Sequence, residues 1–356
     1  MKLTLASLLA VSLQILALGV TAAEPTPASP SPGAAVTPTP GAGFPLLPPV
    51  PQTGQLQDQT SATHFWFVAA GDNRPGASGS PQPRTLAKIF KDAQQFKPAF
   101  FLWAGDIVYG HEYHRKKLES QYLEFFGIAK LAKVPVFNAP GNHEMDTVQK
   151  TANETIETPD PKLHAVYLEI MKFPTGAPSY GAFNYGNSRF IALDTEEVGA
   201  PPAPTPTVTP SKNLKLDPGY VSQEQIDLLT QDLDANQSKG HIFVFMHHPI
   251  MPARSGSALN SANAQALQAL FARYPNVSYV IAAHEHLYYN ATGTTLKPVD
   301  RQDPSPNGPS YLVSGGAGAP LDSCPSGAGA NCAAYNHYLV FEVDKDTVRV
   351  QVVKVD

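Results

Sequence analysis

Five apolar runs along the chain each end in a short block of polar residues. The runs read FWFVAA, AFFLWA, VPVFNAP, HIFVFM and VSYVIAA, and the blocks that follow them contain Asp72, Asp106, Asn142, His247 and His284. Short runs rich in β-branched and aromatic residues are typical of buried strands. Open α/β sheets bind ligands at the carboxyl ends of their strands. The pattern therefore predicts that the five blocks meet at the rim of a sheet.

Helical spacing predicts five helices between and after these strands. They cover Arg84 to Phe96, Glu112 to Lys133, Lys162 to Met171, Ser222 to Gln237 and Asn263 to Tyr274. Ser222 and Gln225 have the spacing of a capping box. The stretches YLVSGGAGAPL, HYLVFEVD and TVRVQVVKV predict closing strands near the C-terminus. Early strand and helix alternation followed by paired strands predicts an α/β fold of two packed mixed sheets flanked by helices.

Length and charge narrow the class of protein. The chain has 356 residues, 42% of them hydrophobic, which is enough for a single large core, and a formal net charge of −5. Without a basic surplus, a nucleic-acid-binding surface is not expected. A small phosphorylated substrate remains compatible, because bound metal ions would supply positive charge locally.

The N-terminal segment has the pattern of a secretory signal peptide. Lys2 precedes an apolar run from Leu3 to Val20 that ends in small residues, which predicts cleavage after residue 23 and a secreted or periplasmic protein without stable membrane insertion. An uncleaved membrane anchor is the alternative. Residues 24–60 are dense in proline and predict a disordered linker, either a spacer or a tail without that role. The catalytic domain is then expected over 61–356, interrupted by a Pro-rich surface insertion at about 199–211.

The residue types of the polar blocks favour a metal site. Asp, Asn and Tyr supply oxygen ligands and His supplies neutral nitrogens, a mixture that suits Zn, Fe and Mn. One carboxylate can bridge two metal ions roughly 3.5–4 Å apart, an arrangement that holds a phosphoryl group during in-line displacement. The reaction class predicted from the residues is therefore phosphoryl ester hydrolysis.

The motifs GDNR, GDIVY, GNHE, VFMH and HEH, in that order, resemble those of the calcineurin-like metallophosphoesterases. The pairing of GDxxY with VxxH resembles the purple acid phosphatase branch in particular. The resemblance runs from about Thr63 to the C-terminus and implies the metallophosphatase fold, a four-layer α-β-β-α sandwich. GNHE with a later HxH is the specific part, whereas either GD pair alone is weak.

The resemblance also implies the ligands of two metal ions. Those of the first metal would be Asp72, Asp106, Tyr109 and His286, and those of the second Asp106, Asn142, His247 and His284. The metals implied are iron with zinc, manganese or a second iron. His143 is implied as the proton donor to the leaving group or as a stabiliser of its charge, with Glu144 orienting it.

Two departures from the family pattern change the expectations. Arg74 stands where many members have a metal-binding His, so Tyr109 is expected to make up for the lost ligand. Arg74 itself is expected to bind phosphate or to pair with a neighbouring carboxylate. Ala283 stands where the family usually has Gly.

Further residues are assigned from their position along the chain and their spacing. His111 and His114 are expected at a solvated helix start, a metal role being the alternative. Tyr288, Tyr289 and the Gly315-Gly316 loop are expected to line the pocket. Cys324 and Cys332 lie close together in a loop, which in an exported protein predicts a disulfide.

The function expected is that of a secreted, dinuclear metal-dependent phosphomonoesterase of the acid phosphatase type, using a metal-bound hydroxide for in-line attack on phosphorus. A phosphodiesterase acting on nucleotides or phospholipid headgroups would use the same residues. A non-catalytic surface protein that retains the fold is the alternative from another class.

Overall fold

The computed structural model describes residues 43–57, 59, 61–150, 154–198, 214–216, 219–254, 256–293, 301–302 and 308–356. By its internal contacts the chain divides into residues 1–38 and 39–356, and the described residues all belong to the second unit. The predicted signal peptide and the predicted insertion at 199–211 lie outside the described residues. None of the helices in the described part has the length and apolar character needed to span a membrane.

The five predicted helices are present, and the described residues also contain a short α-helix at Asn142–Met145 and a 3-10 helix at Gly329–Asn331 that were not predicted. The helices are α1 Arg84–Asp92, α2 Arg115–Ala129, α3 Asn142–Met145, α4 Pro161–Ile170, α5 Gln223–Ala235 and α6 Ser261–Phe271. Short 3-10 helices at Ala93–Phe96 and Lys130–Ala132 extend α1 and α2. Helix α2 begins at Arg115 rather than Glu112, because His114 is its N-cap residue.

Within the described ranges, the strands form three sheets. They are β1 His64–Ala70, β2 Phe101–Ala104, β3 Val136–Ala139, β4 Asp146–Lys150, β5 Glu154–Pro159, β6 Gly181–Tyr185, β7 Ser188–Ala192, β8 Leu214–Leu216, β9 His241–Phe245, β10 Val277–Ala282, β11 Tyr288–Asn290, β12 Arg301–Gln302, β13 Ser310–Ser314, β14 Cys332–Ala333, β15 His337–Asp344 and β16 Thr347–Lys354. The first sheet has the order β12-β16-β15-β1-β2-β3, and the second has the order β14-β11-β13-β10-β9-β7-β6. Strands β4, β5 and β8 form a third, small sheet.

Three separate cores show that the two large sheets and their helices form four layers. Strand β1 alternates between two of these cores: Val68 packs with α1 and α2, whereas Phe67 packs between the sheets. There the Phe67 ring stacks on Phe341 with centroids 4.6 Å apart. The third core lies between the second sheet and helices α5 and α6. The predicted α-β-β-α architecture is confirmed.

Part of the predicted disordered linker is instead packed against the domain. Residues 44–53, here called the edge strap, bury Phe44, Leu47 and Val50. Leu47 N–H donates to Ala182 on β6 at 3.1 Å, and Val50 N–H donates to Val136 on β3 at 2.7 Å. Strands β6 and β3 are the edge strands of the two large sheets. The prediction of disorder across residues 24–60 is wrong here, because apolar residues between the prolines cover two sheet edges.

Two smaller predictions have different outcomes. The disulfide between Cys324 and Cys332 is present. Ser222 is the N-cap of α5 and accepts from Gln225 N–H at 3.2 Å, as expected. However, the Gln225 side chain does not complete a capping box, because its amide pairs with the backbone N–H and C=O of Asp194.

Candidate metal centre

The predicted strand-end residues lie together where the two large sheets meet. Strands β1, β2 and β3 are parallel neighbours that lead to Asp72, Asp106 and Asn142. Strands β9 and β10 are parallel neighbours in the second sheet and lead to His247 and His284. Ligand atoms of Asp72, Asp106 and His247 all lie within 4.8 Å of one another.

His247 is the centre of one group of candidate ligand atoms. Its Nδ1 lies 2.7 Å from the carbonyl oxygen of Ala104, which can only accept a hydrogen bond, so Nδ1 carries the ring proton. In the neutral ring Nε2 then presents a lone pair. Within 3.3 Å of Nε2 lie Oδ1 of Asn142 at 2.9 Å, Nδ1 of His284 at 3.1 Å and Oδ1 of Asp106 at 3.3 Å.

This spacing suits a metal ion. With its proton on Nδ1, His247 has no hydrogen on Nε2 to donate to the Asn142 oxygen, so two lone pairs face each other. A cation between them would turn that repulsion into attraction. Ligand atoms that each lie about 2.0–2.2 Å from a four-coordinate ion are about 3.3–3.6 Å from one another. The distances of 2.9–3.3 Å from Nε2 of His247 to its three neighbours are close to this range. The second predicted ligand set therefore fits a metal.

Asp72 and His286 form the other candidate position. Asp72 is completely buried, and neither of its carboxylate oxygens has a hydrogen-bond partner among the residues that the structure describes. Nδ1 of His286 donates to the carbonyl of Pro320 at 2.7 Å, so in the neutral ring Nε2 carries the lone pair, 3.6 Å from Oδ1 of Asp72. Burial raises the pKa of Asp72, and a protonated His286 would oppose this rise. A buried carboxylate without donors is costly, and a bound cation would remove that cost.

Asp106 lies between the two positions. Its Oδ1 faces His247, and its Oδ2 lies 3.8 Å from Nε2 of His143 and 3.2 Å from Nε of Arg74. Burial opposes ionisation of Asp106, but His143, His247 and Arg74 together lower its pKa. An ionised carboxylate whose ligand atom lies within 4.8 Å of ligand atoms of both Asp72 and His247 is compatible with the predicted bridging role.

Three of the proposed ligands have backbone conformations that ordinary residues seldom adopt. Asp72, Asp106 and His284 have φ angles of 61°, 55° and 68°. Such left-handed residues turn the chain sharply at the strand ends, and they commonly occur at functional sites. The two sheets also approach closely here, because a Cβ added to Gly71 would lie 2.6 Å from the Cβ of Ala283.

Arg74 forms the salt bridge that was one of its two expected roles. Its Nε donates to Oδ2 of Asp106 at 3.2 Å, and Nη1 lies 3.5 Å from the carbonyl of Pro75. Arg74 therefore lies beside the carboxylate that would join the two metals. Phosphate binding by Arg74 remains a prediction.

His143 is held by Tyr109 and packs against His111. Its Nδ1 donates to the backbone carbonyl of Tyr109, and its backbone N–H donates to Oδ1 of Asp106 at 3.2 Å. The His111 ring lies 4.2 Å from the His143 ring, and Nδ1 of His111 donates to the carbonyl of Asp146 at 2.8 Å. The expectation of a solvated helix start is wrong for His111, which precedes α2. Metal binding by the Tyr109 phenol remains a prediction.

Glu144 does not orient His143 as expected. Its two buried oxygens instead accept from the backbone N–H groups of Asp106, Ile107, Val108 and Gly141, at 2.8–3.2 Å. Burial raises the pKa of Glu144, whereas these N–H groups favour the ionised form. Glu144 thus joins the loops after β2 and β3 and fixes the backbone of Asp106.

The remaining assignments are partly corrected. His248 packs its ring against that of His284, with centroids 4.0 Å apart, and its Nδ1 pairs with Glu196 at 2.6 Å, which agrees with the expected supporting role. Glu285 turns away to the N–H groups of Ala253 and Arg254. Tyr288 is fully buried in the core between the sheets and does not line a pocket. Gly315 does border the site, because a Cβ there would lie 2.4 Å from Oδ2 of Asp72.

Two supporting residues were missed. Asp322 accepts from the His286 N–H at 3.1 Å, and Glu157 accepts a hydrogen bond from the Asn142 amide nitrogen. Both contacts join segments that are distant in sequence. No local pattern could have identified them.

Comparison with known proteins decides the family. The family profile described as calcineurin-like phosphoesterase matches residues 61–288, which include Asp72, Asp106, Asn142, His247 and His286. The chain belongs to this family. A 3',5'-cyclic adenosine monophosphate phosphodiesterase, CpdA of Haemophilus influenzae, is 25% identical over 58% of the chain. The matched region spans 62% of that relative's length.

Solved structures of other phosphoesterases share the fold of this calcineurin-like phosphoesterase. The purple acid phosphatase PPD1 from yellow lupin has a TM-score of 0.61 and 17% identity, with 83% of this chain and 52% of the lupin chain covered. A dimetal phosphatase from Danio rerio has a TM-score of 0.51 and 15% identity, with 82% of this chain and 99% of that chain covered. At these identities the likeness concerns the fold alone.

Proposed function

We propose that this phosphoesterase is a dinuclear metal-dependent hydrolase of phosphomonoesters, of the acid phosphatase type. The observation that carries the proposal is the convergence of candidate ligand atoms from both sheets on two neighbouring groups, one around His247 and one formed by Asp72 and His286, with Asp106 close to Asp72 and His247. Asp72 and His286, with Tyr109, would hold one ion, and Asn142, His247 and His284 the other. Bound metal ions would supply positive charge for the phosphate and an activated water as nucleophile.

His143 and Arg74 would act on the substrate. Because the Tyr109 carbonyl accepts the Nδ1 proton of His143, a proton passed to a leaving oxygen has to come from Nε2. Burial lowers the pKa of His143, although Asp106 raises it. An anionic phosphate ester beside the ring would oppose this lowering, as Asp106 does, and so favour the doubly protonated donor. Arg74 would add a fixed positive charge on the same side.

Metal analysis combined with a substrate panel tests the proposal. Purified protein should contain two metal ions per chain and hydrolyse p-nitrophenyl phosphate faster than bis-p-nitrophenyl phosphate. His143→Ala should lower kcat by about 100-fold or more while leaving metal content unchanged. A protein that binds two metal ions but hydrolyses no ester would contradict the proposal and favour a non-catalytic role.

Phosphodiester hydrolysis is the second candidate. The relative from Haemophilus influenzae, named as a cyclic nucleotide phosphodiesterase, favours it. A bridging pair of metal ions can serve either ester class, and the wall of the pocket decides between them. Faster turnover of 3',5'-cyclic AMP than of p-nitrophenyl phosphate would establish this candidate over the first.

The identity of the metals depends on Tyr109. We propose iron at the Asp72 position, paired with zinc, manganese or a second iron. A phenolate bound to ferric iron absorbs visible light, so the protein would be coloured and Tyr109→Phe would remove the colour. A colourless, active zinc or manganese enzyme would overturn this assignment.

We also propose that the protein is exported. The apolar N-terminal run and the disulfide between Cys324 and Cys332 support export, because disulfides persist mainly outside the cytosol. Expression with and without residues 1–23 followed by fractionation tests this, and retention of both forms in the cytosol would contradict it.

A further inference from the structure

A carboxylate from the small third sheet lies against the Asn142 amide. Strands β4 and β5 form an antiparallel hairpin in which Glu157 pairs with Val148. The hairpin follows directly on α3, and Asp160 N–H donates to Met145 at 2.9 Å, which returns the second strand to this helix. The Glu157 side chain then accepts from Nδ2 of Asn142.

The two ends of an amide have opposite chemistry. The oxygen can bind a metal ion, whereas the NH₂ group can only donate hydrogen bonds. Turned one way, Asn142 directs Oδ1 at Nε2 of His247, as observed at 2.9 Å. Turned the other way, Nδ2 would donate to that same nitrogen and would occupy the lone pair that a metal ion needs.

We propose that Glu157 is a positioning residue that selects the metal-binding orientation of Asn142. A carboxylate has no proton to donate and can accept only from the NH₂ end, so it holds Nδ2 and directs Oδ1 at the second metal position. The third sheet is thereby a support for that metal position. This inference rests on the proposed function, since it requires metal ions at these residues.

Glu157→Gln tests the proposal with a side chain of the same size. Glutamine both donates and accepts, so it would pair with either end of the Asn142 amide and lose the selection. Metal-depleted protein is titrated with Zn²⁺ against a competing chelator. The variant should bind one of two zinc ions about 10–100-fold more weakly, as expected for loss of a partner that orients a metal ligand, and the other with unchanged affinity. Thr158→Val, an exposed neighbour on the same strand, is the matched control and should bind both ions normally.

Repeating the test in an Asn142→Asp variant distinguishes orientation of the Asn142 amide by Glu157 from a general role of Glu157 in stabilising the fold. In Asn142→Asp both ligand oxygens are equivalent, so no orientation has to be selected, and Glu157 would instead repel the new carboxylate. Adding Glu157→Gln to that variant should therefore strengthen zinc binding. A weakening in both backgrounds would mean that Glu157 serves only to support the fold, which overturns the proposal.

The titration also distinguishes this inference from the proposed function. Wild-type protein that binds two zinc ions, together with a Glu157→Gln variant of equal affinity, would overturn the inference alone. Wild-type protein that binds no zinc, iron or manganese would overturn both.

Discussion

At the scale of single residues, the close approach of the two sheets at the site depends on a glycine, Gly71, which has no Cβ atom. Gly71 directly follows β1 and lies beside Ala283, at whose position the family usually has Gly. The absent Cβ of Gly71 leaves the room that Ala283 occupies, since the two Cβ atoms would lie 2.6 Å apart. The methyl group of Ala283 is thus accommodated at the junction of the two sheets, between the strand ends that carry Asp72 and His284.

Gly71→Ala should therefore destabilise the protein, and Ala283→Gly should restore much of the loss. Overpacking of a filled interior costs about 1–3 kcal/mol. The double variant removes the contact between the Cβ atoms but keeps a tight one of 3.1 Å to the Ala104 oxygen, so recovery should be incomplete. Urea unfolding of the two single variants and the double variant measures the coupling. Additive effects would contradict the packing argument.

Glu197 predicts a dependence of stability on pH. Burial, with the nearby charge of Asp194, raises the pKa of Glu197 to about 7. The folded state therefore holds a proton that the unfolded state releases above about pH 4.5, so this residue's contribution to stability falls as pH rises through that window. Glu197→Gln keeps an acceptor for Ser222 and should match the wild type near pH 4.5. Above pH 7 it should be more stable by about 1–3 kcal/mol.

Thermal and urea unfolding across this pH range measure the effect. Glu224→Gln, an exposed position on α5, is the control and should run parallel to the wild type. A Glu197→Gln curve that is also parallel to the wild type would show that Glu197 does not titrate in this window.

At the scale of elements, segments with a strong hydrophobic pattern were predicted correctly, whereas segments without such a pattern were missed. The buried strands before Asp72, Asp106 and His247 were identified because their side chains must be apolar on both faces. The edge strap was not identified, because its prolines interrupt any regular hydrogen-bonding pattern. Which of its residues are buried depends only on the sheet edges that they cover. The support of Asn142 by Glu157 was missed for a related reason, since it depends on how a hairpin returns to α3.

The edge strap predicts a contrast between two adjacent leucines. Leu47 is buried against β6, whereas Leu46 is 76% exposed. Leu47→Ala should lower the free energy of unfolding by about 2–5 kcal/mol, as for other buried leucines. Leu46→Ala should change it by less than about 0.5 kcal/mol. Equal effects in urea unfolding would mean that the strap does not cover the edge of the second sheet in solution.

At the scale of the whole molecule, the proposed ligands join the two large sheets. Asp72, Asp106 and Asn142 follow strands of the first sheet, and the three histidines follow strands of the second. Metal ions held by both sets would connect the layers on either side of the central core. Metal binding and folding should therefore be coupled, with stability rising as RT ln(1 + [metal]/Kd), about 4 kcal/mol at a concentration 1,000 times Kd. Chelation should lower the thermal midpoint of the whole domain in one transition.

Two isosteric substitutions in this site should have opposite effects on the metal-free protein. Asp72 has no hydrogen-bond donors in the described structure, so Asp72→Asn should raise the stability of the metal-free form by removing a buried, unpaired charge. Because burial raises the pKa of Asp72, the gain should be larger at neutral pH than near its ordinary pKa of about 4. Asp106 accepts from Arg74 and the His143 backbone, so Asp106→Asn should lower stability by about 1–3 kcal/mol. Both variants should lose most of the stabilisation that added metal gives the wild type, because each removes an anionic ligand. If Asp72→Asn destabilises the metal-free form instead, the carboxylate has partners in solution and the case for a cation beside it fails.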